Sequence, residues 1–135
     1  MGSTNSRKAK TSTKIKDFVS WFEIPALNFE KAVEFYDQIY SIKMDRVVNA
    51  THSMAIFPST GGIGGAVVCG PGSTPGHTGP LIYLNGGKDL EPILSKVPDA
   101  GGRIIMEKTL IDEDSGYFAI FIDSEGNKLA LHSMS

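Results

Sequence analysis

The apolar positions of residues 17–25, DFVSWFEIP, alternate with a period of two. Phe18, Phe22 and Ile24 fall on one side with Ser20, and Val19, Trp21 and Glu23 on the other. This predicts a half-buried strand that Pro25 stops. The period then changes. In LNFEKAVEFYDQIY, Ala32, Val33, Phe35, Tyr36, Ile39 and Tyr40 recur at helical spacing behind Asn28, a predicted N-cap. Shorter strands follow over 44–49, 52–57 and 63–69. The segment GPGSTPGHTGP, rich in Gly and Pro, reads as a linker over 70–79.

The second half repeats the order. PLIYLN predicts a strand that sets Ile82 and Leu84 against Leu81, Tyr83 and Asn85. KDLEPILSKVPDAGG predicts one short helix, capped by Asp89, with Pro92 in its first turn. RIIME, GYFAIFID and NKLALHS predict three more strands. A short internal echo supports duplication: MAIFPSTGG matches FAIFIDSEG, pairing Ala55 with Ala119, Phe57 with Phe121 and Gly62 with Gly126.

Each helix must bury its stripe against one sheet face. The uniformly apolar set suits that role: Phe18, Phe22, Ile24, Ile82, Leu84, Phe118, Ile120, Ile122, Leu129 and Leu131. The opposite set is mixed: Val19, Trp21, Glu23, Leu81, Tyr83, Asn85, Tyr117, Ala119, Phe121, Lys128, Ala130 and His132. Water does not favour so many aromatic groups, and a dry core does not favour Glu, Lys and His. A cavity that is partly apolar suits both kinds. The fold expectation is therefore α+β: two βαβββ modules forming a curved mixed sheet around a cavity, with the helices on the outer face.

Composition changes the picture in three places. The chain has 135 residues, 41% of them hydrophobic, which fits one domain over 17–135 with modules at 17–69 and 80–133. Residues 1–16 carry five cations and no acid, whereas the rest carries eight cations against fifteen carboxylates, a net of −7. Such a body repels phosphates, so nucleic acid is not an expected partner. The Ser/Thr/Lys-rich start reads as a disordered basic tail. Its MGSTNS fits the short N-myristoylation pattern, but a flexible start is the plainer reading. The single cysteine, Cys69, excludes an intrachain disulfide and fits a reducing, cytoplasmic setting. No apolar run reaches membrane-spanning length, so no membrane partner is expected.

FEIPALNFEKAVEFY, GGRIIMEKT and GYFAIFIDSEGNKLALHS, set in paired strand–helix–three-strand modules, resemble the vicinal oxygen chelate superfamily. That superfamily includes glyoxalase I, the bleomycin-resistance proteins and the extradiol dioxygenases, and the likeness extends to small glyoxalase-related bacterial proteins. The resemblance implies a metal held by His, Gln or Glu in the first and last strands of each module. The matching positions here are Trp21, Ala66, Leu81 and Ala130, none of which offers a metal donor. The expectation is therefore no metal, no cofactor and neither glyoxalase I nor dioxygenase activity. The resemblance also implies a homodimer.

Several residues remain as candidates. Glu23 can act as a general base and His132 as its acid–base partner; otherwise both are solvated rim groups. Trp21, Tyr83, Tyr117 and Phe121 can form stacking walls for a ligand, or simply fill core. Asn85 is a ligand contact or a turn residue ahead of Gly86. GGIGG at 61–65 lacks the spacing of a nucleotide loop and instead permits close strand approach. The first reading is a metal-free protein that binds a small, partly apolar molecule. The alternatives are a metal-independent isomerase or lyase using Glu23 as base, and a protein that acts through dimerisation.

Overall fold

The computed structural model describes residues 13–135. The expectations for the basic tail fall mostly on residues 1–12, outside the described residues. The elements in order are β1 Trp21–Pro25, α1 Phe29–Tyr40, β2 Asp45–Val48, β3 Ser53–Ile56, β4 Gly64–Cys69, β5 Tyr83–Asn85, α2 Glu91–Leu94, α3 Val97–Ala100, β6 Arg103–Asp112, β7 Gly116–Ile122 and β8 Lys128–Ser133. The predicted α+β class and paired βαβββ order are present. Hydrogen bonds divide the strands into two four-stranded sheets, β1-β4-β3-β2 and β5-β8-β7-β6. In each, the first strand runs parallel to the last.

The helix of the first module forms as its pattern predicts. The Asn28 side chain accepts from the Lys31 amide at 3.1 Å, which satisfies one of the free donors of the first turn. Ala32, Val33, Phe35, Tyr36 and Ile39 are buried. The second module differs from expectation, with two four-residue helices in place of one. Pro98 has no N–H to continue the first of them, so the chain restarts at Val97. Asp89 accepts from the Glu91 amide at 2.9 Å, at the entry to α2.

One core joins both modules. Phe35 stacks on Phe121 with ring centroids 6.0 Å apart, and Tyr36 meets Phe57 edge-on at 5.5 Å. Ile24, Ala55 and Val67 of the first sheet and Leu84, Ala119, Leu129 and Leu131 of the second complete it. The helices cover one face of each sheet and leave the other face free of helix.

Two face assignments are corrected. Phe18 precedes β1 and is 86% exposed, outside the core. In β7 the phase is inverted. Phe121, fully buried, pairs with Leu129, and Ala119 pairs with Leu131, so Tyr117, Ala119 and Phe121 face the core. Phe118, Ile120 and Ile122 lie on the helix-free side, half-buried. Both phases of GYFAIFI are apolar, so alternation cannot choose between them. Asp123 decides. Its buried carboxylate shares the Phe121 side and accepts from the Tyr36 hydroxyl at 2.8 Å.

The echo between the modules holds in three dimensions. Ala55 and Ala119 are both fully buried, and Gly62 and Gly126 both adopt left-handed φ values, 75° and 90°, in equivalent turns.

The 123–127 turn ties the modules together. Asp123 Oδ1 accepts from the Glu125 and Asn127 amides, and Oδ2 accepts from Asn127 Nδ2 at 3.0 Å. Asn127 Nδ2 also donates to the Pro25 carbonyl at 2.8 Å. Asn127 Oδ1 accepts from Gly76 at 3.0 Å, which fixes the linker. Glu125 Oε1 accepts from the Leu27 and Asn28 amides at 2.7 Å each, ahead of α1. DSEGN is thus a structural clasp: Glu125 and Asn127 hydrogen-bond backbone groups of the first module, and Asp123 bonds the Tyr36 hydroxyl while holding the turn itself.

Candidate functional site

A groove of about 1140 Å³ runs between the modules. Phe22 enters it from β1, Tyr40 from the end of α1, Phe57 from the end of β3 and Tyr83 from β5. Ile42 and Ile82 add aliphatic wall, and residues 57–65 form one rim. The position of Phe22 depends on a glycine opposite. A Cβ on Gly65 would lie 2.3 Å from the Phe22 ring, so only a bare backbone lets that ring lie across β4 against Phe57, 5.6 Å away. This is the close strand approach that GGIGG predicts. The Tyr40 hydroxyl donates to the Asn85 carbonyl at 2.8 Å and joins α1 to β5 at the groove. Burial holds the Tyr40 hydroxyl well above the ordinary tyrosine pKa, so it stays a neutral donor.

The sequence-predicted site residues fall into three groups. Tyr83, Asn85 and His132 come together on the helix-free face of the second sheet. The register pairs Asn85 with His132 and Tyr83 with Ala130. With Met134 they line a recess of about 530 Å³. The Tyr83 and Phe118 ring centroids are 6.3 Å apart. His132 Nε2 lies 2.6 Å from the Ser115 carbonyl, which accepts only, so that nitrogen carries the proton. Asn85 Oδ1 accepts from Gly87 at 2.8 Å, the turn role foreseen for it.

Trp21 and Glu23 form the second group, on the helix-free face of the first sheet. Trp21 Nε1 donates to Glu23 Oε2 at 3.2 Å, and both side chains are exposed. Glu23 and His132 therefore have separate partners on separate sheets.

Tyr117 and Phe121 form the third group, and their expected place beside a ligand is corrected. Phe121 is fully buried against Phe35. Tyr117 packs on the core side, with Lys108 Nζ 4.6 Å from its ring centroid. Of the seven candidates only Tyr83 and Asn85 reach the large groove. Phe22, Tyr40 and Phe57, which do line it, are not among the candidates, because the apolar pattern places Phe22 and Tyr40 in the core stripes.

A metal does not fit the donors present. Glu23 stands beside Ala66 and Tyr83 beside Ala130, while Leu81 lies ahead of β5 and outside this register. Among the described residues no three His, Cys, Asp or Glu side chains converge. A divalent ion needs several N, O or S donors at about 2.0–2.6 Å. Among the described residues, no helix is long and apolar enough to cross a membrane.

Neither family profiles nor curated proteins match the chain. Solved structures do. A glyoxalase/bleomycin resistance protein from Albidiferax ferrireducens T118 is 16% identical over 88% of this chain and all of its own, with a TM-score of 0.66. TnmS3, an antibiotic binding protein from Streptomyces sp. CB03234, is 20% identical over 91% of this chain and all of its own, with a TM-score of 0.58. Glyoxalase I from Zea mays is 14% identical over 85% of this chain and 44% of its own, with a TM-score of 0.66. At these identities the likeness is one of fold. With two paired modules, each with its first and last strands parallel, the chain has the fold seen in the glyoxalase/bleomycin resistance proteins.

Proposed function

We propose that this protein binds a small, partly apolar molecule in the groove between its modules. The groove itself carries the reading: four aromatic rings and three isoleucines around about 1140 Å³ of open space, with few polar groups. Small-molecule sites have this character, predominantly apolar walls with a small number of orienting polar groups. TnmS3 shows that a protein of this fold can be an antibiotic binding protein. A binding role is favoured over isomerase or lyase chemistry because Glu23 and His132, the candidate base and acid, are hydrogen-bonded to Trp21 and Ser115 and not to each other.

The same reading includes a homodimer. The helix-free faces present Trp21, 44% exposed, and Tyr83, 52% exposed, flanked by half-buried Phe118 and Ile120. A second copy would remove that apolar area from water.

Thermal shift against a panel of small, partly apolar molecules tests the function. A ligand present at 100 times its Kd adds about 2.7 kcal/mol to stability. Tyr83→Ala should reduce the shift, because it removes one wall of the groove. A shift of equal size in Tyr83→Ala would place binding elsewhere and refute the proposal.

A further inference from the structure

The charge of the groove narrows its ligand class; this inference rests on the groove being the binding site. Among the described residues that line it, one side chain carries a formal charge, the Asp17 carboxylate beside Val19. No Lys, Arg or His lines the groove within that set. The walls add a second effect of the same sign. Phe22, Tyr40, Phe57 and Tyr83 are aromatic, and aromatic faces are electron-rich and attract cations. Both disfavour an anion and favour a cation whose hydrocarbon surface fills the apolar space.

We propose that the groove selects a lipophilic organic cation, an amine or onium ion carried on a bulky apolar body, over neutral or anionic molecules of the same shape. Asp17 supplies the counter-charge at the mouth, and the aromatic walls desolvate the rest. An anionic conjugate would place its charge against Asp17 with no basic side chain in the described lining to receive it.

Tetraphenylphosphonium and tetraphenylborate provide the test, because they share a shape and carry opposite charges. Isothermal titration of the full chain with each should show the phosphonium bound about five- to twentyfold more tightly, the sum of one exposed ion pair and one or two cation–aromatic contacts. Asp17→Asn, at an exposed position where the fold is not engaged, should reduce that preference by about threefold to fivefold. Tyr83→Ala should weaken both ions. Equal affinities, or tighter borate, would overturn the cation preference while the groove still stands as a binding site. Binding of neither ion at millimolar concentration would overturn both readings. A preference left intact in Asp17→Asn would overturn the role given to Asp17.

Discussion

Replacing Tyr36 with Phe isolates the contact that locks the two modules in register. The ring stays, so its edge-on packing against Phe35 and Phe57 at 4.9 and 5.5 Å is kept. Only the hydroxyl leaves, and with it the 2.8 Å bond to Asp123 Oδ2. Both residues are buried, at 0% and 3% exposure, so water does not replace the lost donor. A hydrogen bond to a charged group contributes about 1.5–3 kcal/mol, and Asn127 still donates to the same oxygen, so a loss of about 2 kcal/mol is expected. For a domain of this size that is about 6–10 °C in Tm. The pH dependence gives a second, independent check. Burial first, and the Asp123 charge second, raise the Tyr36 pKa in the folded state well above its ordinary value. Its proton is therefore held more tightly folded than unfolded. The stability it contributes is complete below pH about 10 and falls by about 1.4 kcal/mol per pH unit above it. Urea denaturation followed by circular dichroism at pH 8 and pH 11 should show a wild-type advantage of about 2 kcal/mol shrinking to about 0.6. An advantage below about 0.5 kcal/mol at pH 8, or one that does not change by pH 11, refutes the reasoning.

Other outcomes follow from the same structure. Phe121→Ala should cost about 3–5 kcal/mol and Phe118→Ala less than half of that, because only Phe121 is fully buried; the opposite ranking by chemical denaturation would overturn the β7 register. Gly65→Ala should cost about 1–3 kcal/mol by forcing the Phe22 ring away from a Cβ only 2.3 Å distant, and it should weaken groove binding at the same time. Dialysis against a strong chelator should leave Tm unchanged, and elemental analysis of protein purified without chelator should find well under one divalent ion per chain; one tightly held equivalent would contradict the donor inventory. Glu125→Gln should cost less than about 1 kcal/mol, because the amide oxygen can still accept from Leu27 and Asn28, whereas Glu125→Ala should cost about 1–2 kcal/mol by stripping both amides of their partner.

Periodicity alone determined the duplicated βαβββ plan and the buried face of α1, which has a single apolar stripe; it did not reveal that Phe22 of β1 lines the groove or that the second helix is split in two. Residue chemistry at Trp21, Ala66 and Ala130 is plain in the sequence, but only the register shows that Glu23, and not Trp21, stands opposite Ala66. Periodicity could not phase β7, where Phe118, Ile120 and Ile122 compete with Tyr117, Ala119 and Phe121 on equal hydrophobic terms. The competition is settled by a buried carboxylate that needs Tyr36, 87 positions away in the chain, as its donor. The groove was likewise beyond the sequence. Its aromatic walls read as core in any one strand or helix. They line open space only because the two sheets leave a gap where β1 and β5 end their ladders, and Gly65 lets Phe22 lie across it. Local pattern fixes which side of an element is apolar; whether that side meets another element or open space is decided by how the modules dock.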